Sequence, residues 1–213
     1  MIVLIVYLQA RRMIFVAANK SRPVWAKLAP LPTTRTHLVA VEGAGHVAVE
    51  AAFSHQPELL ARTTMLVVAG QECDPSMADR LRGLGADGLH VLPTRETGLV
   101  RLRALLSRAR MGTCLYLAGP EAFLDAAAAL AGEFGVTGDG LQTELCGGAA
   151  RRVQCVHCKG MMEDVALSIV SCEHCGVHLT VRDHFSRRLG AYQGVCANAE
   201  TPGVLPEATR IDA

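Results

Sequence analysis

Two C-x-x-C motifs constrain this chain more than any other feature of its sequence. They cover residues 155–158 and 172–175, and 13 residues separate them. Two thiolates three positions apart can face one cation from a tight turn, and two such turns complete a tetrahedral four-sulfur shell. Gly160 and Gly176 follow the motifs and supply the backbone freedom that such turns need. The spacing predicts a small β module of the zinc-ribbon type, in which strands over 165–170 and 177–181 lead into and out of the second motif. It also predicts four metal ligands: Cys155, Cys158, Cys172 and Cys175.

The predicted metal has a structural role, because four thiolates leave no open position for water. Zinc is preferred over iron, although a four-sulfur site holds either ion. An alternative interpretation of the same motifs is a pair of redox dithiols. The histidines near the motifs are predicted to lie outside the metal shell: His157, His174 and His178. The other cysteines are interpreted as small buried hydrophobic residues: Cys73, Cys114, Cys146 and Cys196.

Composition excludes several classes of protein. Hydrophobic residues make up 50% of the 213 positions and charged residues 19%, so the chain is not disordered. The formal net charge of +1 gives no overall field that would select nucleic acid or anionic lipid. The longest apolar run, residues 1–8, is far shorter than the roughly 20 residues of a membrane span and has no basic segment before it. We therefore expect a cytoplasmic protein without a membrane or nucleic-acid partner.

Alternating strand and helix patterns occupy the middle of the chain. Short apolar runs predict strands at residues 37–41, 63–68, 89–92, 113–117 and 142–145, with helical patterns between them. This alternation predicts an α/β fold with a parallel, doubly wound sheet and helices on both faces. The predicted organisation is an N-terminal arm (1–36), an α/β domain (37–148), a zinc-ribbon domain (149–200) and a polar tail (201–213).

A glycine-rich turn follows the first predicted strand. Residues 43–48 match the pattern G-x-G-x-x-A, in which a phosphate approaches backbone N–H groups at the start of a helix. An ordinary glycine turn explains the same residues equally well, because the motif alone is a weak signal. A Gly-Pro pair closes a later strand of the same predicted sheet. The candidate cofactor-binding residues are Gly43, Gly45, Gly119 and Pro120.

The segment after the second cysteine pair is a candidate docking surface. It combines arginines with aromatic side chains, a composition typical of interface hot spots. The predicted docking residues are Arg182, His184, Phe185, Arg187, Arg188 and Tyr192. A solvated exit from the ribbon is the alternative interpretation. A basic edge on a zinc ribbon also leaves open a nucleic-acid-binding module, although the chain has only three lysines.

Residues 115–123, together with 142–144, resemble the nicotinamide-binding half of ferredoxin-reductase-type flavoproteins. That family ends its fourth strand in Cys-Gly-Pro, whereas this chain has Ala118 in the cysteine position. The flavin-binding barrel that precedes the domain in that family has no counterpart in the 36 residues upstream. We therefore expect a ferredoxin-reductase NAD-domain-like fold that does not carry out flavin redox chemistry alone.

Residues 182–195, following a zinc ribbon and a reductase-like half domain, resemble the DmmA-like subunit of dimethylamine monooxygenase. The resemblance implies an auxiliary subunit of a multi-component enzyme that uses NAD(P)H and O2 to convert dimethylamine to methylamine and formaldehyde. It also implies two partners, a haem-containing monooxygenase subunit and a flavin/iron–sulfur reductase subunit. On this interpretation the chain carries one structural zinc ion and is not active alone, and its binding of NAD(P)H is in doubt. The alternatives are a self-sufficient NAD(P)H-binding reductase module and a nucleic-acid binder.

Overall fold

The chain forms two β-sheets that follow one another along the sequence. A computed structural model describes residues 22–69 and 76–211. The first sheet contains β1 (Thr36–Glu42), β2 (Thr63–Val68), β3 (Gly88–Leu92), β4 (Thr113–Gly119) and β5 (Leu141–Leu145). The second contains β6 (Arg151–Cys155), β7 (Met161–Val165), β8 (Ile169–Ser171), β9 (His178–Ser186) and β10 (Ala191–Cys196). The helices are α1 (Gly45–Phe53), α2 (Pro57–Leu60), α3 (Ser76–Gly83), α4 (Arg95–Leu106) and α5 (Glu121–Glu133).

The first sheet is parallel throughout and has the strand order β3-β2-β1-β4-β5. Its central strands are almost wholly buried because helices cover both faces. Helices α1 and α3 pack on one face through side chains such as Phe53 and Leu81. Helices α4 and α5 pack on the other through side chains such as Leu102 and Phe123. The predicted doubly wound α/β fold is therefore confirmed, with a topological switch between β1 and β4.

An extended segment, residues 22–35, lies against the free edge of β5. The Leu28 N–H donates to the Glu144 carboxylate at 2.8 Å. Ala29 and Gln142 exchange two hydrogen bonds, at 2.8 and 2.9 Å, between backbone and side-chain amide. The Ala26 N–H also donates to the Thr143 carbonyl at 3.0 Å, so the segment pairs a backbone group of an edge strand that would otherwise be free. The described part of the predicted arm is thus held on the sheet.

The second sheet is mixed, with the order β7-β6-β10-β9-β8. Strands β6 and β10 pair in parallel, and the other neighbours are antiparallel. The small sheet and its cysteine cluster confirm the predicted zinc-ribbon-like class of this unit. The single strand predicted over 165–170 is wrong, because residues 166–168 leave the sheet and pair with the tail. The Ser168 N–H donates to Thr209 and the Ile211 N–H donates to Ala166.

Some sequence predictions fall outside the described residues. They concern the apolar run of residues 1–8 and the thiol of Cys73. Within the described ranges, no helix combines the length and the apolar character that a membrane crossing requires.

Candidate metal centre and the adjoining interface

The four predicted ligand cysteines meet at one end of the second sheet. Cys155 ends β6 and Cys172 follows β8, while Cys158 and Cys175 lie on the turns behind them. All four sulfur atoms lie within 4.8 Å of one another. Two cross-turn pairs are close, with Cys155 to Cys175 at 3.8 Å and Cys158 to Cys172 at 3.7 Å between sulfurs. The four cysteines that the sequence predicts as metal ligands therefore form one cluster.

The cluster has the dimensions of a tetrahedral metal shell. A zinc–sulfur bond of about 2.3 Å places the sulfurs of a regular tetrahedron about 3.8 Å apart. The two shortest Sγ–Sγ distances agree with that edge, and the remaining ones are at most 4.8 Å. The four thiols can therefore hold one metal ion with every tetrahedral position taken by protein.

Backbone and imidazole groups around the cluster support this arrangement. Burial alone would raise the pKa of the Cys172 thiol, but backbone N–H groups of Cys175 and His174 donate to it and lower its pKa to about 6. The His174 Nε2 atom donates to the Met161 carbonyl at 2.8 Å and so links the second cysteine turn to the strand that follows the first. The backbone of Gly160 approaches this imidazole so closely that a Cβ would lie 2.2 Å from the ring.

A buried polar cluster joins the second sheet to helix α5. We define the interface cluster as Glu121, Asp125, Arg151, Asp183 and Tyr192. The Tyr192 hydroxyl donates to the Glu121 carboxylate at 2.5 Å, and burial, followed by this hydrogen bond, raises the pKa of the tyrosine. The Arg151 guanidinium stacks 4.1 Å from the centre of the Tyr192 ring and bonds Asp183 at 2.9 Å. The cation–π contact and the Arg151–Asp183 bond brace Arg151 and Tyr192 within the second sheet, and the charge-assisted Tyr192–Glu121 hydrogen bond joins this sheet to helix α5.

Asp125 lies one helical turn after Glu121 on the same buried face of α5. Neither of its carboxylate oxygens has a hydrogen-bond partner among the described residues. Burial, followed by the negative charge of Glu121, raises the pKa of Asp125 to about 8. The sequence analysis missed both acids. Their signal is two carboxylates four residues apart in an otherwise apolar, alanine-rich helix.

A second contact joins the α/β part of the chain, which contains β1–β5, to the second sheet. It lies where the strands of the first sheet have their carboxyl ends. The Arg95 side chain bonds Glu42, at the end of β1, with distances of 2.9 and 2.7 Å. The same guanidinium bonds both oxygens of Asp164 on β7 at 3.1 Å. Asp164 takes the left-handed backbone conformation, with φ of 51°, at the position that makes this contact. Arg95 therefore ties the second sheet to the edge where ligands bind in open α/β sheets.

The candidate cofactor-binding residues also meet at this edge. Gly45, at the start of α1, is so close to β4 that a Cβ would lie 2.2 Å from the Ala118 carbonyl oxygen and 2.8 Å from the Gly119 nitrogen. Gly43 has φ of 54°, and the His46 Nδ1 atom donates to its carbonyl at 2.9 Å. The two glycine segments are therefore adjacent, and close packing of helix and strand already accounts for the glycine at position 45.

The predicted docking residues separate into three places. Arg182 is exposed and lines a recess with the C-terminal tail, and His184 is also exposed. Three others line a groove beside α5: Phe185, Arg187 and Arg188. Tyr192 differs from the prediction, because it is fully buried and bonds Glu121. Its ring serves the internal interface and is not available to a partner.

Two arginines of the second sheet, Arg151 and Arg152, do not form the basic edge that a nucleic-acid-binding module would need. Arg151 is buried in the interface cluster, and Arg152 pairs with Glu163 at 2.8 Å, so neither contributes to a free basic edge. This weakens the nucleic-acid alternative.

Among the cysteines interpreted as buried hydrophobic residues, Cys114 is buried and Cys146 half-buried. Cys196 is exposed, contrary to the prediction, because it ends β10 at the surface.

Fold and site together define a class of protein: a doubly wound α/β domain with a four-cysteine, zinc-ribbon-like module fixed to the carboxyl side of its sheet. The family profile described as "Dimethylamine monooxygenase subunit DmmA-like, N-terminal domain" matches residues 18–141. The corresponding C-terminal-domain profile matches residues 152–195. The chain belongs to the DmmA-like family.

One curated relative is the heme-dependent oxidative N-demethylase delta subunit of Ectopseudomonas mendocina (strain ymp). It is 43% identical over 107 residues, which cover 49% of this chain and 61% of the relative. Among solved structures, full-length CYP116B46 from Tepidiphilus thermophilus is 18% identical, with a TM-score of 0.46. That alignment covers 78% of this chain and 28% of the other.

Proposed function

We propose that this chain is an auxiliary subunit of a multi-component, NAD(P)H- and O2-dependent amine demethylase that converts dimethylamine to methylamine and formaldehyde. In this proposal the haem lies on a monooxygenase subunit, and flavin and iron–sulfur groups lie on a reductase subunit. The chain contributes assembly and a structural metal site. The observation that carries the proposal is a closed four-thiol cluster, built into a family described as monooxygenase subunits.

The proposed metal is one zinc ion held by Cys155, Cys158, Cys172 and Cys175. When bound, zinc supplies folding free energy, since a small sheet of this size has little core of its own. The cysteine turns then fix the ends of β6 and β8, and through them the strands that carry Arg151 and Tyr192. The metal thus supports the interface cluster indirectly and has no contact with a substrate.

A nucleotide-binding role for the first unit is the second candidate. It is favoured by the start of α1, which lies beside the switch point and has no side-chain cap at Ala44. The pyrophosphate of NAD(P)H would lie against Gly43 and Gly45, with Gly119 and Pro120 on the neighbouring strand end. Titration of the isolated chain with NADPH and NADP+ tests this candidate separately, since binding without turnover is compatible with an auxiliary subunit.

Reconstituted turnover tests the main proposal. Haem-bearing and reductase subunits are combined with dimethylamine and NADPH, with and without this chain, and formaldehyde formation is measured. We expect turnover that depends on the chain, and no NADPH oxidation by the chain alone with added FMN. Steady NADPH oxidation by the isolated chain would favour the reductase alternative. Equal formaldehyde formation with and without the chain would overturn the proposed function.

A further inference from the structure

A groove runs between helix α5 and the turn that connects β9 to β10. Its volume is about 530 Å³. The floor is formed by small residues of α5, among them Ala128, Ala129 and Gly132. Half-buried Trp25 and Phe185 add aromatic surface to its lining. We call this feature the α5 groove. Its walls come from the N-terminal segment, the first unit and the second sheet, so it exists only when these three parts are assembled.

The charged groups of the α5 groove are unevenly paired. Arg187 and Arg188 are exposed on its rim, and neither forms an ion pair with a described residue. Glu133, the acid at the end of the helix, is already paired with Arg103 at 2.7 Å. The groove therefore presents two uncompensated positive charges beside an apolar floor. Charge complementarity favours an occupant with carboxylates.

Asp125 supplies a further unsatisfied group in the groove wall. Its side chain is 1% exposed, and its two oxygens have no hydrogen-bond partner within the described part of the chain. Burial raises the pKa of this acid to about 8, so it is mostly protonated at neutral pH and adds little negative charge to oppose the two arginines on the rim.

We propose that the α5 groove binds an extended segment of another subunit of the complex, one that carries an acidic residue next to apolar side chains. The acidic residue pairs with Arg187 and Arg188, and the apolar side chains lie against Trp25 and the α5 floor. Arginine and tryptophan are the residues enriched in interface hot spots. This inference rests on the proposed function, because it takes the occupant from the same complex.

Filling the groove is the first arm of the test. A Cβ at Gly132 meets no atom within 4 Å, so Gly132→Leu adds a side chain over the groove floor without a clash in the chain itself. Gly83→Leu is the matched control, since Gly83 is also an exposed residue in the last turn of a helix and no atom lies within 4 Å of its Cβ position. Binding to the purified haem-bearing and reductase subunits is measured for full-length proteins. We expect Gly132→Leu to weaken binding roughly tenfold or more and Gly83→Leu to leave it unchanged.

Reversing the rim charge is the second arm. Arg187→Glu/Arg188→Glu should weaken binding roughly tenfold or more, whereas Arg187→Lys/Arg188→Lys, which keeps the charge, should restore most of it. Arg108→Glu/Arg110→Glu is the matched control, because both arginines are exposed and neither lines the groove. An array of overlapping peptides from the two subunits then identifies the segment. We expect the bound peptides to carry an acidic residue beside apolar ones.

The outcomes separate the two proposals. If the wild-type chain binds neither subunit, the proposed function and the groove assignment both fail. If it binds, and Gly132→Leu binds as well as Gly83→Leu, the groove assignment alone is wrong. Binding of only basic or uncharged peptides would overturn the stated chemistry of the occupant. Self-association of the chain that Gly132→Leu abolishes would make a second copy the occupant and would also overturn the assignment.

Discussion

Single glycines show where this chain has no room for a side chain. At Gly45 the obstacle is backbone, because the Ala118 carbonyl would lie 2.2 Å from a Cβ and cannot rotate away. We expect Gly45→Ala to lower the free energy of unfolding by about 1–3 kcal/mol, as overpacking usually does. Urea unfolding measures the change. Gly83→Ala is the control, since its Cβ position is open and alanine should stabilise the helix by up to about 1 kcal/mol. Equal stability of both variants would contradict the close helix–strand contact.

Gly160 tests the link between the two cysteine turns. A Cβ there would lie 2.2 Å from the His174 ring, which must then swing away and lose its hydrogen bond to Met161. We expect Gly160→Ala to reduce stability by about 1 kcal/mol, the contribution of one such hydrogen bond, and to speed metal loss to a chelator. In a His174→Ala background the same glycine change should have little further effect. A full additional loss in that background would contradict the contact.

At the scale of the element, helix α5 carries a buried acid that should make stability depend on pH. The pKa of Asp125 is about 8 in the folded chain, against an ordinary value of 3.8. The folded state therefore binds more protons than the unfolded state between these values, and this residue's contribution to stability falls as pH rises through that window. Asp125→Asn, which keeps a neutral side chain, should gain stability relative to wild type from about pH 5 to about pH 9.

The difference between Asp125→Asn and wild type is measured by urea unfolding across that pH range. Asp87→Asn, at an exposed position, serves as the control and should show a flat difference. A flat difference for Asp125→Asn as well would mean that this carboxyl is not held in a buried, unpaired environment.

The regular elements could be predicted because their signals are local. Short apolar runs located the strands of the first sheet, helical patterns located the helices between them, and cysteine spacing located the four-cysteine cluster. The single strand predicted over 165–170 was wrong, since its interruption depends on pairing with residues more than 40 positions away. Tyr192 was misplaced for the same reason: its partner, Glu121, lies 71 residues earlier. Composition could identify the aromatic and arginine residues of segment 182–195 as candidates for an interface. It could not show which of these side chains are buried within the chain itself, as Tyr192 is.

At the scale of the whole molecule, the second sheet should depend on its metal. Cys155→Ser or Cys175→Ser removes one thiolate from a closed shell, so metal binding and the folding free energy that comes with it should be lost. We expect about one zinc per wild-type chain by elemental analysis. The variants should contain little zinc and become protease-sensitive after residue 148. Cys196→Ser is the control, because Cys196 is exposed and lies outside the cluster. Zinc-free variants that remain protease-resistant would contradict the structural role.

Native mass spectrometry of the co-expressed complex tests the proposed role of this chain, because it reports subunits and metal in one spectrum. We expect a complex that contains this chain together with the haem-bearing and reductase subunits, with about one zinc ion for each copy of the chain. Cys155→Ser should remove both the zinc and this chain from the complex, and Cys196→Ser should remove neither. A complex that retains a zinc-free chain, or a wild-type chain that never joins the other subunits, would contradict the account.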